Sequence, residues 1–224
     1  MVNSMNEKII EILKYIFLGL LQGITEVLPV SSSGHLQIAN EVLHINNDSI
    51  TLSIFLHFAS LLAVLVFLRK ELFNLIIGFF GFLFKDRQKY KYQFMLTIYL
   101  CITTLVLVVF TVIVKLLGFD ESPLWLVGAC LILNAAMLFI FGKFTGNKTL
   151  DEMTVKDAVI IGLFQCAGSF AGISRSGSTL TCGLLVGVNK NEALDFSFLM
   201  SIPIILASLV GIFIKQKLNI MGEK

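Results

Sequence analysis

The sequence predicts an all-α integral membrane protein, an inverted-topology repeat with two re-entrant helical hairpins and about four transmembrane helices. Three observations carry this. Of the 224 residues, 56% are hydrophobic and only 14% charged, against roughly 25% charged in a soluble domain. Apolar runs at 52–68, 94–114, 124–141 and 196–214 each approach the roughly 20 residues that cross a bilayer core. Two polar interruptions also repeat at one offset. LQGITEVLPVSSSGH over 21–35 and FQCAGSFAGISRSGST over 164–179 put Gln22, Ser31, Ser33 and Gly34 143 positions before Gln165, Ser174, Ser176 and Gly177. Shared hydrophobicity does not match Gln, Ser and Gly without gaps, so the repeat points to duplication.

No Pro/Gly/Ser-rich linker divides the chain, which reads as a single polytopic domain over 1–224, with one repeat at about 8–117 and a second, truncated, at about 155–215. The N-terminal stretch from about residue 7 to 28 is helical in pattern. It is not a signal peptide, because Gln22, Thr25 and Glu26 break its apolar run. The Pro29–Gly34 break and a short apolar stretch to residue 43 complete a hairpin that dips into the membrane. Irregular backbone at that depth is tolerated only where protein or water covers it. The pattern recurs from 155 to 188, with its break at 171–177. Three spans between the hairpins turn the second copy upside down, so that the two polar tips meet near the midplane. Residues 73–84 read as an interfacial or partly buried helix rather than a crossing.

Arg69, Lys70, Lys85, Arg87, Lys89 and Lys91 mark the segment after the first span as cytoplasmic, while the 118–122 turn carries only Asp120 and Glu121 and suits the outer side. Lys215 and Lys217 run against this orientation. The net charge of +2 is scattered over loop edges, so no nucleic-acid partner is expected. Cys101, Cys130, Cys166 and Cys182 sit in apolar segments without C-x-x-C spacing and read as small buried hydrophobes.

The chemistry lies in the two breaks. Gln22 and Glu26 are four apart and share a helix face. A carboxylate within an apolar segment handles a proton, binds a cation, or snorkels from a helix end. Ser31, Ser32, Ser33, Gly34 and His35 supply hydroxyls, a flexible backbone and one imidazole at a helix start. Arg175 stands in GISRSGST with no acidic residue from 159 to 190. Its planar fork suits a phosphate, with Ser174, Ser176, Thr179 and backbone donors around it; an internal pair with Glu26 is the other reading. His57 reads as a hydrogen-bonded interior histidine, His44 as a surface-loop residue, and Asn134 as an interhelical hydrogen-bonding group.

Both motifs, in this order and each before an apolar span, closely resemble those of the undecaprenyl-diphosphate phosphatase (bacitracin-resistance) family, as do the run Glu192 to Leu199 and Pro203. The resemblance implies hydrolysis of undecaprenyl diphosphate to the monophosphate, recycling the lipid carrier of cell-wall synthesis at the outer face of the plasma membrane. By position it implies Ser32, His35 and Glu26 as catalytic, and Arg175, Ser174, Ser176, Thr179 and Gln22 as diphosphate-binding. The nucleophile is left open between Ser32, His35 and a water. Glu26 is a candidate ligand for a divalent cation, Mg2+ or Ca2+; no organic cofactor is expected. A transporter or flippase of a phosphorylated polyprenyl lipid is the alternative that the inverted repeat itself suggests. The chain departs from the family pattern at Ala171, where Pro is usual, and in ending before two further spans; a homodimer is the expected cover for the second repeat.

Overall fold

The computed structural model describes residues 2–45, 50–118 and 123–222. Among them the chain is helical: α1 Val2–Val27, α2 Ser32–Val42, α3 Ile50–Phe67, α4 Arg69–Phe84, α5 Lys91–Leu116, α6 Leu124–Phe141, α7 Val155–Gln165, α8 Arg175–Leu185 and α9 Lys190–Gly222, with short 3-10 turns at Leu150–Glu152 and Cys166–Ser169. Among the described residues, two helices are long and apolar enough to cross a membrane, Lys91–Val114 in α5 and Leu124–Phe141 in α6; the apolar part of α3, Phe55–Phe67, is shorter. Asp120 and Glu121, on which the outer-side reading of the 118–122 turn rests, lie outside the described residues.

The two breaks fold alike. Helices α2 and α8 begin and end 143 positions apart, at Ser32–Val42 and Arg175–Leu185. Ser31 caps the first by accepting from Gly34 N, and Ser174 caps the second by accepting from Gly177 N. A serine N-cap satisfies one of the donors that a helix start leaves orphaned. The arms entering the breaks differ. The first is a continuous helix of 26 residues, α1, whereas α7 has 11 and tightens into the 3-10 turn before its loop. A capping box fixes the start of α7, with the Thr154 hydroxyl accepting from Asp157 N and the Asp157 carboxylate accepting from Thr154 N.

The main core is shared by α3, α4, α5, α7, α8 and α9, around Leu61, Leu96, Ile161, Leu180, Phe196 and Met200. Tyr99 Oη ties α5 to the segment before α7 by donating to Met153 O at 2.7 Å. Helix α4 lies along α5 with Gly78 and Gly81 facing Gln93 and Tyr90, the side chains that a Cβ at either glycine would strike. Helix α6 packs against both α2 and α8. Its two buried residues are Val127 and Asn134. This places one helix behind both tips.

Candidate active site

The tips of the two hairpins touch. A Cβ on Gly34 would lie 2.8 Å from Gly172 Cα, and one on Gly177 would lie 3.1 Å from Pro29 O. Gly172 also needs its missing side chain for backbone reasons, having φ of 97°. Ser31 takes a left-handed φ of 69° despite its Cβ. Such conformations cost a non-glycine residue about 1–3 kcal/mol and persist where the surroundings enforce them. Here the cap to Gly34 N and the contact of His35 Nδ1 with Ser31 O at 2.8 Å enforce it.

A cavity of about 850 Å³ opens beside the junction, between α1, α3, α5, α8 and α9. Its lining includes the polar side chains of Glu26, Ser32, Arg175, Ser176 and Gln22 and the apolar ones of Leu56, Val64, Phe67, Phe198 and Ile204. The cavity therefore offers polar and apolar groups together, as an amphiphile requires.

Glu26 is the hub of the polar groups. Its Oε2 accepts from Gln22 Nε2 at 2.9 Å and from Ser32 Oγ at 2.7 Å. Its Oε1 lies 3.8 Å from an Arg175 guanidinium nitrogen across the junction. Gln22 Nε2 also reaches Ser60 Oγ on α3 at 3.3 Å, while Gln22 Oε1 is buried without a partner. Gln165, its repeat mate, donates from Nε2 to Thr103 O and likewise buries an unpartnered Oε1. Both glutamines line the cavity.

The second tip is a helix start capped by Ser174. The N-terminus of α8 directs its first-turn N–H groups and a partial positive charge towards the junction. Ser174 Oγ is occupied by Gly177 N at 3.1 Å and lies 3.1 Å from Ser176 Oγ. Thr179 Oγ1 is drawn inward, lying 3.1 Å from Arg175 O and from Ser176 O and 2.6 Å from Ser197 Oγ on α9. Arg175 and Ser176 thus present the most available donors to a ligand, and Ser174 and Thr179 shape the loop behind them.

Of the residues singled out in the sequence, Gln22, Glu26, Ser32, Ser174, Arg175, Ser176 and Thr179 come together around the cavity, with His57 on its wall. His35 does not line it. Facing a carbonyl oxygen requires a proton on Nδ1, which leaves Nε2 as the unprotonated nitrogen of neutral His35. The hydrogen-bond partner of the Ser32 hydroxyl is Glu26, not His35. Sequence reasoning did not single out Ser60 or Thr103, and it took Ser197 only as part of the run Glu192 to Leu199, without a role. Their signal was a lone polar side chain inside an apolar run, which is common in membrane helices and names no role. Asn134 does make the interhelical hydrogen bonds expected of it, to Pro29 O and from Ser174 N, both at 3.0 Å.

The family profile of the bacitracin resistance protein BacA matches residues 15–223. Undecaprenyl-diphosphatase 2 of Halalkalibacterium halodurans is 40% identical over 204 residues, covering 89% of this chain and 73% of that protein. Undecaprenyl-diphosphatase of Oceanobacillus iheyensis is 39% identical over 202 residues, covering 88% and 73%. Undecaprenyl-diphosphatase 1 of Shouchella clausii is 38% identical over 207 residues, covering 89% and 73%. With two thirds or more of each of these proteins matched at such identity, and the paired tips that carry the motifs in contact, the chain belongs to the bacitracin resistance protein BacA family.

Proposed function

We propose that this protein hydrolyses undecaprenyl diphosphate to undecaprenyl phosphate and inorganic phosphate, regenerating the lipid carrier of cell-wall synthesis and conferring resistance to bacitracin. The names of the relatives support the substrate. The observation that carries the chemistry is the hydrogen bond from Ser32 Oγ to Glu26 Oε2 beside Arg175. A hydroxyl held by a carboxylate is the arrangement of a nucleophile and its base.

In this reading Arg175, Ser176 and the start of α8 grip the diphosphate oxygens, and the apolar side chains of the cavity wall take the first prenyl units. Ser32 Oγ attacks the terminal phosphorus and its proton passes to Glu26. The bond from that phosphorus to the bridging oxygen breaks, and undecaprenyl phosphate leaves with the bridging oxygen. A water then attacks the phosphoserine and releases inorganic phosphate, the Ser32 oxygen regaining a proton. Phosphoryl transfer needs positioning and charge neutralisation more than further covalent chemistry, and the tips supply both. His35 holds the loop that carries Ser32.

Among the described residues that line the cavity, Glu26 and Arg175 are one acidic and one basic side chain set opposite each other. A diphosphate therefore arrives with its own charge unbalanced. Among the described residues no group of three His, Cys, Asp or Glu forms a dedicated metal cage. Glu26 and the unpartnered Gln22 Oε1 offer hard oxygens suited to Mg2+ or Ca2+ held jointly with phosphate, and such an ion would neutralise charge on the diphosphate.

We place the protein as a multi-pass protein of the plasma membrane, its two hairpins inverted and the site open to the outer face. The basic segment from Arg69 to Lys91 supports that orientation. A homodimer is compatible with the exposed apolar side of α1, including Ile9, Leu13, Ile16 and Leu20. The deciding experiment is phosphate release from undecaprenyl diphosphate in detergent micelles, with and without chelator. Micelles permit hydrolysis but no vectorial transport. Absence of release under every divalent cation tried removes the phosphatase reading and favours a transporter.

A further inference from the structure

We propose that Asn134 on α6 is a positioning residue that holds the two catalytic tips in register independently of the Glu26–Arg175 ion pair. This rests on the phosphatase reading, because it concerns how that site stays assembled while substrate binds. Asn134 is 3% exposed and uses both ends of one amide. Its Nδ2 donates to Pro29 O of the first tip at 3.0 Å, and its Oδ1 accepts from Ser174 N of the second at 3.0 Å. The orientation of the amide is fixed, since only the nitrogen can donate to a carbonyl. Pro29 precedes α2 and Ser174 caps α8, so both partners are backbone groups that neither helix satisfies.

The ion pair cannot do this work. Glu26 and Arg175 stand 3.8 Å apart, too far for a hydrogen bond. The guanidinium must also turn to phosphate when the diphosphate enters. If the pair held the tips together, binding would loosen them at the moment Ser32 has to be in line. Asn134 removes that conflict. Behind it, Gly172 meets Val127 O and Cys130, and Gly34 meets Leu131, so the face of α6 that carries Asn134 is the surface against which both tips close. A displacement of about 1 Å between reacting groups can cost about 100-fold in rate.

The test uses the full chain in micelles and compares Asn134→Leu, Asn134→Asp and Glu26→Gln, with turnover of undecaprenyl diphosphate, thermal stability and hydrogen exchange of the segments around 28–36 and 170–180 as readouts. Asn134→Leu should lower kcat by about 100-fold with KM changed by less than about threefold, and should speed exchange in both segments. Asn134→Asp keeps the acceptor for Ser174 N and loses the donor to Pro29 O, so Ser174 should stay protected while the first tip loosens. Glu26→Gln should abolish most turnover yet leave exchange in both segments as in the wild type. The proposal is overturned if Asn134→Leu turns over within threefold of wild type. It is overturned equally if Glu26→Gln loosens the tips as much as Asn134→Leu, or if the loss in Asn134→Leu merely follows the folded fraction. A wild type that releases no phosphate would remove the activity reading, and the exchange data alone would still decide the register.

Discussion

Ser32 Oγ donates to Glu26 Oε2 at 2.7 Å across the break between α1 and α2. The helix carrying the carboxylate ends at Val27, and the helix carrying the hydroxyl starts at Ser32. The turn through Pro29 and left-handed Ser31 folds one back onto the other. In the proposed mechanism the nucleophile and its base therefore come from one short stretch of chain, and the groups that grip the diphosphate come from the other tip.

Replacing Glu26 by Gln keeps the shape and removes the carboxylate proposed to take the Ser32 proton. Turnover should fall by about 100- to 10,000-fold, the range that a general base contributes. Glu26→Asp, with a shorter reach to Ser32, should fall between. Phosphate release at saturating substrate measures both. Activity of Glu26→Gln within tenfold of wild type would assign the proton to another group.

Arg175→Lys keeps the charge and loses the planar fork. Because bidentate contact with phosphate is what the fork supplies, kcat/KM should drop about tenfold or more, and Arg175→Ala should lose most of the remainder. Steady-state kinetics on the lipid diphosphate decide this. Equal activity of the Lys variant would mean that the residue serves only as a point charge.

His35 offers a test of loop shaping against proton transfer. Its Nδ1 meets Ser31 O, a contact that an asparagine or glutamine amide can also make as a donor. His35→Ala should cut turnover by orders of magnitude, while His35→Asn or His35→Gln should recover about a tenth of wild-type turnover or more. Equal loss in all three would place Nε2 in the chemistry.

Gly34→Ala should separate the tips, because the added methyl would sit 2.8 Å from Gly172 Cα and 3.0 Å from Gly172 N, backbone atoms with no rotamer to yield. Turnover should fall by about 100-fold while the helical circular dichroism stays that of wild type. Retained activity would show that the tips can close with extra volume between them.

Asp157 gives the fold an acid-sensitive contact outside the spans. Burial opposes its ionisation, yet the Lys148 hydrogen bond, the Thr154 N–H and hydroxyl and the Lys148 charge outweigh that, holding the carboxyl below its ordinary 3.8. A carboxylate depressed on folding contributes stability above its unfolded value, and that contribution is lost as the pH falls through the folded one. Melting in detergent should therefore weaken below about pH 4, and Asp157→Asn should melt about 5 °C lower at neutral pH with a flatter acid limb. Identical acid limbs would exclude Asp157.

Helical character, the matched residues at an offset of 143 positions and the composition of both tips were legible in the chain, because these are local or periodic signals. Gln22 and Glu26 share a face by helical spacing alone, and Pro29, Gly34 and Gly172 mark breaks by backbone chemistry alone. The inward turn of Thr179 towards Ser197, the displacement of His35 from the cavity wall and the double grip of Asn134 were not legible there. Each depends on which hydroxyl, carbonyl or amide lies within about 3 Å once distant helices have packed, and hydrogen bonding is decided at that range. The tertiary structure alone decided which proton acceptor Ser32 meets: a histidine three residues along the chain and a carboxylate six residues back both lay within reach in sequence, and the fold brought Glu26 to the hydroxyl.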